Sequence, residues 1–336
     1  MKKWLAVLLW LSASALWAQS AQTAELGDFK LQSGETLRHC KLEYRTFGHL
    51  NADKSNAVLI PTWFGGISAD WIDKVEENHL PDPGKYYVIV VDALANGQSS
   101  SPANSPDQPR EKFPQVSIHD MVETQYTLLT QKLGINHLHA VMGISMGGMQ
   151  TFEWVVTHPD FMDKAVPIVG SPRLAAFDLV LWRADLDVAQ NEVALGHDGK
   201  QPLSAAIRAL GTLATSTTAD FNARHSREDV ARLWSEMETH ADRFDAAGRI
   251  RQLQAMMGLD VSAPFGGDMQ KAAAAVKAKM LVVVATKDRV VTPEPAREFA
   301  KLKGAKLVEL DSDCGHGATS CQITELQRAV DQFLAD

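Results

Sequence analysis

The sequence predicts an α/β fold, a mostly parallel, doubly wound sheet with a helical insertion, and three observations carry that expectation. Short apolar runs, of the kind required by strands buried on both faces, recur along the chain. Helical patterns separate them, and strands alternating with helices build a parallel sheet because each crossover returns the chain to the same end. One stretch of about a hundred residues between two of the runs carries helical patterns and no strand, where a structureless loop of that length would be out of place. The 336 residues, 45% hydrophobic and 22% charged, suffice for one large domain with an insertion. A formal charge of −8 argues against a nucleic-acid or anionic-membrane surface, since either needs a basic patch.

From the N-terminus, Lys2 and Lys3 form a positive segment and residues 4–11 an apolar one. Small residues follow at Ser12, Ala13, Ser14, Ala15 and Ala18. This is the pattern of a secretory signal peptide, residues 1–18, and it is too short for a membrane span. It predicts a periplasmic or secreted protein with no stable membrane anchor after cleavage. Residues 28–47 alternate polar and apolar side chains around a turn at Ser33-Gly34, as antiparallel strands at a sheet edge do. Buried strands are expected at 57–60, 86–91, 139–142, 165–169, 280–285 and 306–310, and helices at 118–133, 149–157, 295–302 and 323–333. Further helical patterns at 205–213 and 227–239 fall in the insertion. The chain then divides into a core, residues 22–171 and 272–336, and a helical cap, residues 172–271. Sites in such sheets lie beyond the carboxyl ends of the strands, so the cap would roof the site.

The chemistry is signalled by Gly143-Ile144-Ser145-Met146-Gly147-Gly148-Met149-Gln150, which follows one apolar run and opens a helix. A serine between glycines at a strand-to-helix turn is the nucleophile elbow of an α/β-hydrolase. Side chains at 143 and 147 would collide across so tight a turn, and the reward is an exposed Oγ at a helix N-terminus, where partial positive charge favours an oxyanion. A serine hydroxyl needs a base oriented by an acid, in the order serine, acid, histidine. Asp288 falls at the end of the strand at 280–285, and His316 in the last loop before the final helix. Asp311 and Asp313 compete for the acid's role but lie too close to His316 in sequence. The oxyanion hole should use the backbone N–H of Met146 and one from the loop Pro61-Thr62-Trp63-Phe64-Gly65-Gly66, whose glycines allow close approach. Trp63, Gly65 and Gly66 are candidates for the substrate pocket. His119 reads as a capping or packing residue, His137, His139 and His158 as structural, and no pair of histidines has metal-ligand spacing. In an oxidising compartment Cys314 and Cys321 could close a short loop, leaving Cys40 as a buried small hydrophobe.

The elbow continues as Thr151-Phe152-Glu153-Trp154, and the whole stretch resembles the G-G-S-M-G-G-M-Q-x-x-E-W of the homoserine O-acetyltransferase family of α/β-hydrolases. Pro83-Gly84-Lys85, Tyr87-Val88-Ile89 and Phe113-Pro114 through Ile118-His119-Asp120-Met121-Val122 are similar to it too. The resemblance covers residues 55–175, weakens through the cap and returns at Asp288 and His316. It implies Ser145, Asp288 and His316 as the triad, Phe64 and Met146 as oxyanion donors, and no metal or organic cofactor.

Three departures bear on the reaction. Thr62-Trp63-Phe64-Gly65-Gly66 stands where the family reads H-A-L-T-G. Gly317 stands where the family's aspartate holds the homoserine ammonium, and Arg183 lies near, but out of register with, the cap arginine that meets the carboxylate. A zwitterion needs both charges met in a semi-enclosed site. The family's acyl donor is acetyl-CoA, which an exported enzyme is not expected to meet, so water becomes the natural acceptor. The expectation is an exported serine hydrolase, esterase-like, acting on a small-molecule acyl ester through an acyl-enzyme. The alternatives are an O-acyltransferase of the homoserine type and, more remotely, a non-catalytic binding protein on the same scaffold. Oligomeric state stays open, a homodimer included.

Overall fold

Runs of aliphatic and β-branched residues set the sheet. In the computed structural model, which describes residues 20–196, 204–240 and 244–336, eight strands form one sheet. They are β1 (Gln22–Lys30), β2 (Thr36–Phe47), β3 (Ala57–Pro61), β4 (Tyr87–Val91), β5 (Leu138–Ile144), β6 (Met162–Ile168), β7 (Lys279–Ala285) and β8 (Lys306–Leu310). The predicted signal peptide lies outside the described residues. The spatial order is β1-β2-β4-β3-β5-β6-β7-β8. β1 pairs with β2, and β2 with β4, antiparallel; every later pair is parallel, as in Leu59↔Ile89, Leu59↔Val141 and Met142↔Val166.

Because side chains alternate along a strand, each buried strand feeds two cores. Leu59, Ile89, Val141 and Val282 face one side with Phe152, Trp154 and Phe299, while Val58, Ile60, Val88, Met142 and Val283 face the other with Trp71, Leu326 and Phe333. Both faces being covered explains why these strands read as unbroken apolar runs. Truncating a fully buried member such as Ile60 to alanine costs about 2–5 kcal/mol.

Twelve helices accompany the sheet among the described residues: α1 (Ile72–Glu76), α2 (Ile118–Thr127), α3 (Met146–Thr157), α4 (Ala176–Ala194), α5 (Ala205–Thr215), α6 (Thr218–Arg224), α7 (Val230–Thr239), α8 (Ala246–Met257), α9 (Met269–Ala275), α10 (Glu294–Lys303), α11 (Ala318–Cys321) and α12 (Ile323–Ala335). Among the described residues none is long and apolar enough to cross a membrane. The six from α4 to α9 lie between β6 and β7. α9 straddles the expected end of the insertion at 271 and packs on α10 with Ala272 and Ala273 buried, so it sits with the core. The helix expected over 118–133 is α2 followed by one widened turn, Leu128–Lys132, where Thr127 and Thr130 hydroxyls donate to the carbonyls of Glu123 and Tyr126.

The strand order fixes where a site can form. The chain leaves β3 to one side for β4 and returns on its other side as β5, so the loops after β3 and β5 diverge over an open crevice.

Candidate active site

Ser145 caps that crevice. It joins β5 to α3 with φ 59° and ψ −119°, a conformation that costs a non-glycine residue about 1–3 kcal/mol. The neighbouring glycines make the turn possible. A Cβ on Gly143 would strike the backbone of Gly147, and one on Gly147 would strike the carbonyl of Pro61 at the end of β3. The Ser145 N–H donates to Ile168 O at 2.9 Å, tying the elbow to β6.

Two later loops converge on its hydroxyl. His316 Nε2 lies 3.0 Å from Ser145 Oγ, and His316 Nδ1 lies 2.6 Å from Asp288 Oδ2. The other Asp288 oxygen accepts the N–H groups of Val290 and Val291 at 2.8 and 3.0 Å, so the carboxylate is aimed by its own loop. A carboxylate at Nδ1 assigns the ring proton to that nitrogen and leaves Nε2 to accept from the serine. Burial pulls the His316 pKa down, but the charge and hydrogen bond of Asp288, with Asp178 beyond it, outweigh burial and hold it above the ordinary 6.5. Asp311 and Asp313 point elsewhere: Asp311 accepts from Thr286 Oγ1 and Asp313 from Lys287, both in solvent.

The histidine loop is closed by a disulfide between Cys314 and Cys321, and Cys40 is a buried free thiol whose burial pushes its pKa up to about 12. The bridge spans only seven residues, so chain entropy gives it about 2–3 kcal/mol of stabilisation. Reduction, or Cys314→Ser with Cys321→Ser, is expected to lower Tm by a few degrees and to lower kcat more than it changes KM, because His316 sits inside the ring. Thermal scans and kinetics with and without dithiothreitol check this, and an unchanged Tm and kcat would refute it.

The loop after β3 is held from three directions. Gln150 of α3 donates from Nε2 to Thr62 O at 3.1 Å and accepts from Gln125 at 2.6 Å, and Gln125 accepts from Trp154 Nε1 at 2.8 Å. That chain gives the Gln150 and Trp154 of the elbow motif a purpose: they anchor the facing loop. Asp92, whose burial pushes its carboxyl up to about 6 against hydrogen bonds from Ser68 and Asn96, orients Asn96, which donates to Gly66 O at 2.9 Å. Gln252 of α8 accepts the Gly65 N–H at 2.8 Å. The Thr62 N–H donates to Val91 O and the Gly66 N–H to Trp63 O, so the engaged N–H groups of Thr62, Gly65 and Gly66 flank those of Trp63 and Phe64. Met146 is the first residue of α3, where an N–H has no partner within the helix.

Above Ser145 and His316 lies a cavity of about 350 Å³. Its wall is mainly apolar, with Trp63 and Phe64 from the loop, Leu181 and Trp182 from α4, Leu210 from α5 and Leu253 from α8. Gly317 is also on the wall. One expectation, that of the two pocket glycines, needs correction. Gly65 and Gly66 do not line this cavity: the first is turned to Gln252 with φ +65°, and a Cβ on the second would meet the Trp63 indole. Arg183 faces away, paired with Asp187 one turn along α4 at 2.8 Å. Among the described residues the arginine on the cavity wall is Arg249, paired with Asp185, and no local spacing signalled it. Of the other histidines singled out in the sequence, His119 meets Glu153, His137 meets Asp163, His139 meets Leu334 O, and His158 stacks on Tyr126.

An α/β-hydrolase fold family model matches residues 56–319. The chain belongs to the α/β-hydrolase family of enzymes. Within it the chain is 33% identical to a probable esterase of Corynebacterium glutamicum over 312 residues, covering 88% of this chain and 89% of that one. It is 32% identical to an ethyl acetate hydrolase of Pseudomonas veronii, covering 93% of each. A homoserine O-acetyltransferase of Trichormus variabilis is 30% identical, covering 91% of each. The solved structure of an acetylester hydrolase from Corynebacterium glutamicum superposes with a TM-score of 0.85 at 28% identity, over 94% of this chain and 96% of that one. The resemblance to the homoserine O-acetyltransferase family therefore holds, and ester hydrolases stand beside those transferases among the proteins this chain is similar to.

Proposed function

We propose that this enzyme hydrolyses esters of short carboxylic acids, with Ser145 as nucleophile, His316 as base and Asp288 as its orienting acid. The observation that carries the reading is the unbroken chain from Ser145 Oγ through His316 to Asp288, opening into a small, mainly apolar cavity. The ester hydrolases among the relatives support it.

In the reaction Ser145 Oγ bonds to the ester carbonyl carbon as its proton passes to His316 Nε2. The carbonyl oxygen takes the negative charge and is met by the N–H groups of Met146 and Phe64. The carbon–oxygen bond to the alcohol breaks, and His316 returns the proton to the leaving alcohol. Water then attacks the acyl carbon as His316 takes its proton, the bond to Ser145 Oγ breaks, His316 returns the proton to Oγ, and the free acid leaves. Water rather than homoserine is the acceptor because Gly317, on the cavity wall, has no carboxylate with which to hold an ammonium. Export to an oxidising compartment is part of the same proposal, supported by the N-terminal pattern and by the disulfide beside the base.

The test is the fate of the acetyl group when the mature protein turns over p-nitrophenyl acetate with L-homoserine present. Free acetate as the main product is expected. O-acetylhomoserine as the main product would overturn the hydrolase reading in favour of transfer.

A further inference from the structure

We infer that the Arg249–Asp185 pair is a specificity element, neutralising the guanidinium the cap brings to the cavity wall and so making the site selective for uncharged esters. The inference rests on the reading of Ser145 as the nucleophile beneath that cavity.

Asp185 comes from α4 and Arg249 from α8, and both line the cavity that Ser145 and His316 line. The pair is bidentate, with Nε to Oδ1 at 2.8 Å and Nη2 to Oδ2 at 2.6 Å, so both carboxylate oxygens are used. Its side chains are only 15% and 14% exposed. The guanidinium lies over the Phe64 ring, 4.9 Å from its centroid, and that ring is itself wedged against Trp182 and Phe244. The pair is thus fixed beside the loop that faces the elbow.

A carboxylate on the substrate meets two costs there. Binding Arg249 means displacing Asp185 and leaving a nearly buried carboxylate unpaired. Binding beside the intact pair means facing the Asp185 charge at short range. An uncharged ester meets neither. Among the described residues Lys74 also lines the wall, its Nζ 5.7 Å from the Trp63 ring centroid, and its contribution is common to every comparison made at position 185.

The experiment measures kcat/KM of the full enzyme for two matched pairs. Diethyl succinate against monoethyl succinate places the carboxylate on the acyl side; methyl acetoxyacetate against acetoxyacetate places it on the alcohol side. Wild type should prefer the neutral member by about tenfold or more in each pair. Asp185→Asn frees Arg249 and should narrow that preference by about tenfold in the pair whose carboxylate reaches it, through KM rather than kcat. Asp185→Asn with Arg249→Gln removes both charges and should return the ratio toward wild type. Asp185→Asn leaving both ratios unchanged, or wild type turning over the half-ester as well as the diester, would overturn the inference. If Asp185→Asn does not fold, Arg249→Gln decides in its place: it leaves the Asp185 charge unpaired and should widen the preference for the neutral member, and an unchanged ratio would overturn the inference. If no ester is turned over, the proposed function falls, and the same preference is read from calorimetric binding of the four compounds.

Discussion

Replacing Ser145 by alanine is expected to lower kcat on p-nitrophenyl acetate by about 10⁴–10⁶-fold while leaving the fold intact. The loss is that large because the hydroxyl is the atom that bonds to carbon. His316, Asp288 and the N–H groups of Met146 and Phe64 act only on a bond that Oγ makes. Stability should move the other way. Ser145 sits at φ 59° and ψ −119°, a strain that alanine shares and glycine does not. Ser145→Ala should therefore keep Tm within a degree or two, and Ser145→Gly should raise it although equally inactive. Fluorophosphonate labelling of wild type alone, with thermal scans of all three proteins, checks both halves. A Ser145→Ala enzyme that keeps more than about one-hundredth of wild-type kcat would remove the serine from the mechanism.

How much of this was legible in the sequence depends on the range over which each interaction acts. The elbow was legible because its constraint is local: Gly143 and Gly147 are four residues apart and meet across one turn. Asp288 and His316 were legible from chain order and strand ends, which the parallel topology converts into a common edge. The Gln150–Gln125–Trp154 chain was visible as letters in a motif, but its purpose, anchoring the loop at Thr62, appears only when α2 and α3 pack. Arg183 and Arg249 differ in the same way. Arg183 spends its charge on Asp187 four residues on, whereas Arg249 meets a partner 64 positions away. Asp178 makes the same point. It reads as a residue of the first turn of α4, yet it accepts from the N–H and hydroxyl of Thr292, and Trp182 beside it donates to Val290 O at 2.8 Å. The insertion is thus fastened to the loop that aims Asp288, a relation set by the angle at which helix meets sheet and not by any periodicity.

Asp288→Asn carries the second large effect, and it separates orientation from charge. The asparagine keeps the shape of the carboxylate, but its amide nitrogen donates to His316 Nδ1. That moves the ring proton to Nε2, where it can no longer accept from Ser145. A fall in kcat of about 10⁴-fold with little change in KM is expected. The pH profile provides the sign. In wild type the charge and hydrogen bond of Asp288, reinforced by Asp178, overcome burial and raise the His316 pKa above 6.5, so the acid limb of kcat/KM lies above pH 6.5. Removing the two contributions of Asp288 leaves burial, which favours neutral imidazole, opposed by Asp178, the last-ranked cause, and the residual limb should move to lower pH. Stability follows the same linkage. A histidine with a raised folded pKa contributes stability that is fully present below its unfolded pKa and is lost as pH rises through the folded one. Asp288→Asn should therefore cost more in Tm at pH 6 than at pH 9. An acid limb that stays in place, or a loss of activity under tenfold, would mean that Asp288 aims the loop at Val290 and Val291 but does not govern the imidazole.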